Sequence, residues 1–188
     1  MIHKYLETVT SVESIRFPNR ESPIGKMIND YLASTADMDD HTIHLLFSAN
    51  RWEASKEIES KLNSGSTLIC DRYAYSGVAY TSAKGYDVEW CKRPDSGLPQ
   101  PDAVIFLDMP VENASKRGNY GEERYEKIDF QKKIREKYLE LKSDDNGKVT
   151  WYTINADNTI DNVHNEIKNI TDKVIEDVKT SKIKKLWI

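Results

Sequence analysis

The sequence predicts an α/β domain, a parallel sheet flanked by helices, from three observations. Apolar strand-like runs alternate with amphipathic helical stretches along the 188 residues. The run Thr67-Leu68-Ile69-Cys70 delivers Asp71-Arg72 to the carboxyl end of a buried strand, where ligands bind in open α/β sheets. Composition supports a packed core: 38% of residues are hydrophobic, with 8 glycines and 6 prolines.

Ser14-Ile15-Arg16-Phe17 ends a first short strand, broken by Pro18. Pro23 opens a helix through about Leu32, and Asp39-Asp40 starts a long helix that ends at Gly65, a residue suited to a left-handed cap. Thr67 to Cys70 is the next strand and Tyr73 to about Lys84 a helix. Ala103 to Asp108 forms a third strand, followed by helices at Val111 to Lys116 and Phe130 to Lys142. Trp151 to Asn155 reads as the last strand and Ile160 to Val178 as the closing helix. Gly85 to Pro101, punctuated by Pro94, Gly97, Pro99 and Pro101, is the longest irregular stretch. Neither repeats nor linkers divide the chain, so residues 1–188 are expected to form one domain.

A net charge of -4 argues against a general nucleic-acid binder, and no apolar run reaches the roughly 20 residues needed to cross a bilayer. Cys70 and Cys91 are expected to be reduced thiols in an intracellular compartment.

On the long helix, Ile43, Phe47, Ala54, Ile58 and Leu62 share an apolar stripe with Arg51 in its middle. A buried arginine needs an acceptor, either a protein carboxylate or a polar ligand. Phe47, one turn earlier, could offer a flat face to a ring whose edge Arg51 reads; a core phenylalanine beside a structural ion pair is the other reading. Arg20 and Arg72 each follow a strand and together would suit a phosphate, or each could hold a surface ion pair. Asp71 could hold magnesium, directly or through water, or accept N–H bonds at the start of the next helix. Glycines among alternating charges at 116–126 read either as a flap carrying cations to a reaction centre or as a solvated loop. His41 and His44 stand one turn apart but lack a third metal ligand, and the tail residues Leu186 and Trp187 read as packing against the domain rather than touching a membrane.

Taken together, Phe17-Pro18-Asn19-Arg20, the segment from Asp40 to Glu53, Asp71-Arg72-Tyr73 with Ser76 to Ala79, Gly97 to Asp102, and Lys116-Arg117-Gly118 with Glu123 to Glu126 resemble the thymidylate kinase family, most closely its eukaryotic and poxviral branch. The resemblance implies a P-loop-NTPase-like nucleoside monophosphate kinase fold that moves the γ-phosphoryl group of ATP to dTMP, with Mg2+. It implies that Phe47 stacks on thymine, Arg51 bonds the base edge, Arg20 and Arg72 hold the acceptor phosphate beside Gly77, and Tyr80 lies under the deoxyribose. Asp71 would sit near the metal, Arg117 of a lid at about 116–126 would approach ATP, Tyr125 would close over dTMP, and Ala156 would meet adenine. A homodimer using the long helix and a cytoplasmic location, with the nucleus as a second compartment, are also implied.

The sequence departs from the family pattern in one respect. Nothing in it matches G-x-x-x-x-G-K-[ST]: at Gly25-Lys26 the next residue is Met27, and Arg20 stands where the first glycine should be. Residues Met1 to Thr8 resemble the helix that follows the phosphate loop, so the first strand and the loop are expected to be missing. A chain lacking that strand is expected to fold poorly and catalyse little. The alternative function is a non-catalytic protein that keeps the dTMP pocket.

Overall fold

The computed structural model describes residues 1–117, 123–144 and 148–188. Its elements in chain order are α1 (Ile2–Leu6), β1 (Val12–Arg16), α2 (Pro23–Leu32), α3 (Asp40–Asn63), β2 (Thr67–Asp71), α4 (Ala74–Ser82), α5 (Val88–Lys92), β3 (Ala103–Asp108), α6 (Val111–Ala114), α7 (Ile128–Asp144), β4 (Thr150–Asn155) and α8 (Ile160–Val178), with a 3-10 turn at Arg93–Asp95. The four strands pair in parallel, β1 with β2 and β3 with β4, an isolated antiparallel bridge joins Pro99 to Lys185, and among the described residues no ladder joins the two ribbons.

Local chemistry sets several boundaries. The Ser22 hydroxyl caps α2 by accepting from the Gly25 N–H, and Pro23 takes the first turn, where a missing N–H costs nothing. Asp39 caps α3 through the N–H groups of His41 and Thr42. Beyond α3, Gly65 has φ +86°, the left-handed conformation that favours glycine.

One expectation needs correction: Gly85 to Pro101 is not wholly irregular. The Asp87 carboxylate accepts from the Trp90 N–H at 2.7 Å and starts α5, which seats the buried Cys91. A helix of five residues is too short to print a periodic pattern on a proline-rich stretch.

Three apolar clusters form the core. Val78, Ala79, Cys91, Ile134 and Leu141 join α4 to α5 and α7; Ile28, Tyr31, Leu32, Ile43 and Tyr125 join α2 to α3; Ala74, Tyr75, Leu98 and Leu186 bring the tail onto α4. The tail is held by its backbone as well, since Leu186 donates to the Leu98 carbonyl and accepts from the Gly97 N–H. This packing agrees with the reading of Leu186 as an anchor in the domain. Both cysteines are free, Cys70 exposed and Cys91 buried. Among the described residues no helix is long and apolar enough to cross a membrane.

Candidate functional site

Arg51 is 2% exposed, and its acceptor is the fully buried Asp95, met by two parallel bonds: Nε to Oδ1 at 3.0 Å and Nη2 to Oδ2 at 2.6 Å. Of the two acceptors open to it in the sequence, the structure supplies the protein carboxylate. Phe47 is half-buried and borders the cluster of Ile28, Tyr31, Ile43 and Tyr125, together with Tyr80 and Phe130. On the apolar stripe, Ile43 and Ile58 are fully packed, while Ala54 and Leu62 remain partly open. Gly77 lies against Arg51: a Cβ at that position would stand 2.8 Å from Nη2. Its lack of a side chain is what lets the guanidinium lie flat on α4.

Arg72 has φ +64°, a backbone conformation that L residues with side chains adopt at some cost, and such strain concentrates at functional sites. Its Nη1 donates to the Tyr80 hydroxyl at 3.0 Å, and the guanidinium stands 5.3 Å from the Tyr80 ring centre. Tyr80 in turn meets Tyr125 edge to face at 5.4 Å. Arg20 donates to Asn29 Oδ1 at 2.8 Å and pairs with Glu123 at 2.7 Å. The two arginines therefore share no partner, but each touches the arm 123–125 or an aromatic ring packed against it. Asp71 is exposed and pairs with Arg16 at 3.1 Å rather than capping α4, whose N-terminus has no side-chain cap. Among the described residues no three His, Cys, Asp or Glu side chains gather as a metal cage. A single exposed carboxylate suits magnesium, which keeps several waters and takes most other oxygens from substrate phosphates. Beside Asp71, the Cys70 thiol donates to the Arg72 carbonyl at 3.0 Å, and desolvation pushes it up to about 12, which leaves it a poor nucleophile.

On the other ribbon, Arg117 Nη2 donates to the Ala156 carbonyl at 2.8 Å, so the two residues expected on the ATP side touch one another. The Ala156 N–H donates to the Asp108 carbonyl at 2.8 Å. The expected lid at 116–126 falls partly on residues 118–122, which lie outside the described residues. Its second arm is tied to α2: Arg124 donates to the Tyr31 carbonyl at 2.9 Å and to Asp37 at 2.6 Å, and its guanidinium lies 4.1 Å from the Tyr31 ring centre.

Four supporting residues had no place among the expected site residues: Asp95, Asn50, Lys84 and Arg124. Asn50 accepts from the Asn19 N–H at 2.7 Å and donates to its carbonyl at 3.1 Å, fixing the loop that carries Arg20. Asn50 was visible only as a polar residue next to Arg51; its contact 31 residues away was not. His44 is fully buried, its Nε2 at 3.0 Å from the Cys91 carbonyl and its Nδ1 at 2.8 Å from the Thr81 hydroxyl. A carbonyl can only accept, so Nε2 carries the proton and Nδ1 accepts from Thr81. That assignment makes it a structural histidine; His41 instead turns to Asp39 and the rings of Tyr86 and Trp90. Two cavities, of about 240 and 300 Å³, are lined by none of the expected site residues.

Parallel ribbons flanked by helices, with arginines and an aspartate at the strand ends and an aromatic wall beside them, form an α/β arrangement with a candidate ligand site at the carboxyl ends of its strands, consistent with the nucleoside monophosphate kinase fold. A family model described as Thymidylate kinase matches residues 1–167. The thymidylate kinase of Dictyostelium discoideum is 49% identical over 174 residues, 93% of this chain and 77% of that protein. That of Arabidopsis thaliana is 49% identical over 173 residues, 92% of this chain and 64% of that protein, so the chain spans less than two thirds of the plant relative. The solved thymidylate kinase of Candida albicans superposes with a TM-score of 0.84 at 40% identity, covering 92% of this chain and 86% of that one. The chain belongs to the thymidylate kinase family.

Proposed function

We propose that this chain acts in the phosphorylation of dTMP by ATP, and that its described residues form the acceptor side of the site. An oxygen of the dTMP 5′-phosphate attacks the γ-phosphorus, the bond from that phosphorus to the β–γ bridging oxygen breaks, and dTDP and ADP leave. Such transfer asks the protein mainly for positioning and charge. In this reading Arg20 and Arg72 hold the acceptor phosphate, Phe47 stacks on the base, Arg51 reads its edge, Tyr80 supports the sugar and Tyr125 closes the pocket. Asp71 meets magnesium through water, and Arg117 with the Ala156 backbone serves the ATP side. A homodimer through α3 belongs to the same reading; Leu45 on that helix is 49% exposed.

The observation that carries the proposal is the contact of Arg72 with Tyr80, Tyr80 with Tyr125, and Phe47 with the same cluster, a guanidinium set at the end of an aromatic wall. A nucleoside monophosphate offers the matching pair, a flat base and a dianion. The test is isothermal titration with dTMP and, separately, Mg-ATP on a sample shown folded by gel filtration, followed by a turnover assay. Binding of both with production of dTDP supports transfer. Binding of dTMP alone leaves the acceptor pocket and removes the transfer, and binding of neither removes both.

A further inference from the structure

Lys84, just past the end of α4, has three N–H bonds and three oxygens to take them, each on a different part of the fold: the Tyr31 hydroxyl of α2 at 3.3 Å, the Asp40 carboxylate at the start of α3, and the Tyr125 hydroxyl at 2.9 Å. An ion pair with Asp40 by itself would hold α3 against α4, so the bond to Tyr125 needs another reason. Its target is a phenol fixed at two points, because the Tyr125 hydroxyl also donates to the Tyr31 hydroxyl at 3.2 Å. The same ammonium lies 4.9 Å from the Tyr125 ring centre, a cation over an aromatic face. The ring held in this way meets Tyr80 edge to face at 5.4 Å and Phe130 at 5.5 Å. Tyr80 in turn accepts from Arg72 Nη1 at 3.0 Å. A line of contacts thus runs from the ammonium through two rings to the guanidinium just past β2.

We propose that Lys84 is a positioning residue of the dTMP pocket: by fixing the Tyr125 phenol it holds the Tyr125 ring against Tyr80, and so keeps Tyr80 where its hydroxyl accepts from Arg72. With all three N–H bonds committed to protein oxygens, the ammonium has none to offer a nucleotide, and it acts through Tyr125 rather than by contact. The Tyr125 hydroxyl is likewise taken up, a lone pair by Lys84 and the proton by Tyr31, which leaves the ring to face a ligand. Loosening one ring of such a wall costs affinity even when every group that touches the ligand is kept, because binding must then restore an order that the free protein lacks. The inference rests on the proposed reading of Tyr80 and Tyr125 as walls of the dTMP pocket.

The test is a double-mutant cycle read by isothermal titration with dTMP on the wild-type chain, Lys84→Met, Tyr125→Phe and the two combined, with thermal melts as a fold control. Each single change is expected to weaken dTMP about tenfold, about 1.4 kcal/mol, and the double variant no further, since both break the same bond. Leu186→Ala, which opens the apolar cluster at the tail, is expected to lower the melting point and leave the dTMP affinity unchanged. Should Lys84→Met fail to fold, Lys84→Arg carries the cycle, because it keeps the charge beside Asp40 but replaces a three-directional donor with a planar one. A folded lysine variant with wild-type affinity overturns the inference and leaves the function reading intact. So does a double variant weakened about a hundredfold, a loss in Leu186→Ala equal to that in Lys84→Met, or the failure of both lysine variants to fold, each of which assigns Lys84 to support of the fold alone. A folded wild-type chain that does not bind dTMP overturns both.

Discussion

Lys84 Nζ donates to the Tyr125 hydroxyl at 2.9 Å, and through this one ammonium group the arm carrying Tyr125 is fastened to the end of α4. The same Nζ reaches Asp40 at the start of α3 and the Tyr31 hydroxyl on α2 at 3.3 Å. Burial and the neighbouring Tyr31 hydroxyl hold the Tyr125 phenol well above its ordinary range. A lysine 14% exposed with three oxygen partners is a fastening whose loss strands all three.

Replacing Lys84 by Met, which keeps the stem and removes the charge, is expected to destabilise the fold by about 2–3 kcal/mol. Tyr125→Phe, which removes one partner and leaves the ammonium satisfied by Asp40, should cost about 1 kcal/mol. Urea unfolding of the two variants side by side checks the ranking. Equal losses would show that the contribution lies in the Tyr125 ring rather than in the ammonium group.

The loop of Arg20 is held from two directions. A Cβ on Gly25 would fall 1.8 Å from the Asn19 carbonyl oxygen, so Gly25→Ala must push α2 away from that loop. Asn50→Ala removes both side-chain bonds to the Asn19 backbone. Gly25→Ala is expected to abolish the native fold or lower its melting point severely. Asn50→Ala should cost about 1–3 kcal/mol and weaken dTMP binding, with the circular dichroism spectrum unchanged.

These supports show what a single sequence carries. The bounds of α2, β3 and α8 were readable because proline, apolar runs and a long amphipathic pattern mark them locally. The need of Arg51 for an acceptor was also readable, since an arginine on an apolar stripe is a local contradiction. The identity of that acceptor was not: Asp95 lies 44 residues away on a short turn with no pattern of its own. Gly25 looked like part of a failed phosphate motif, and only the approach of the Asn19 carbonyl explains it. Pairing of strands into two ribbons likewise depends on contacts between segments, which no local window contains.

Stability should fall as pH drops through the histidine range. Desolvation lowers the His44 pKa below its ordinary 6.5, ahead of the opposing effects of the Cys91 carbonyl and Asp95, and Arg51 and Lys84 lower it further. Below about pH 6.5 the unfolded chain takes up a proton that folded His44 refuses, so unfolding becomes easier until the folded pKa is passed. Denaturant unfolding at pH 7.5 and pH 5.5 measures the loss. His44→Gln, which can still donate to the Cys91 carbonyl, is expected to flatten that slope; an unchanged slope would assign it to other groups.

Removing the last seven residues should uncover the third core cluster. Leu186 is 1% exposed among Ala74, Tyr75 and Leu98, and Lys184 accepts from the Gln100 N–H through its carbonyl. Leu186→Ala alone is expected to cost about 2–5 kcal/mol, against less than about 0.5 kcal/mol for Ile188→Ala, whose side chain is 84% exposed. Thermal melts of the two variants decide whether the tail is part of the core.

The carboxylate of Asp108 separates stability from function on the side proposed to serve ATP. Arg135 meets it with two bonds, Nε at 2.6 Å and Nη2 at 2.8 Å, and that bonding holds the Asp108 pKa below the ordinary 3.8. A depressed carboxylate contributes above the ordinary value and loses its contribution as pH falls through the folded pKa, so the pair acts fully at neutral pH. Arg135 is 41% exposed, which keeps the stabilisation to about 1 kcal/mol or less. The consequence for positioning is larger: the Asp108 backbone carbonyl holds Ala156, and the Ala156 carbonyl holds Arg117, so the strand end, the turn after β4 and the segment that carries Arg117 form one chain of bonds. Asp108→Asn is therefore expected to leave the melting point within a few degrees, to raise KM for Mg-ATP severalfold and to leave KM for dTMP unchanged. Equal changes in both KM values would place Asp108 in support of the whole fold, because a local loss on the donor side has no route to the pocket of Arg72, Tyr80 and Tyr125.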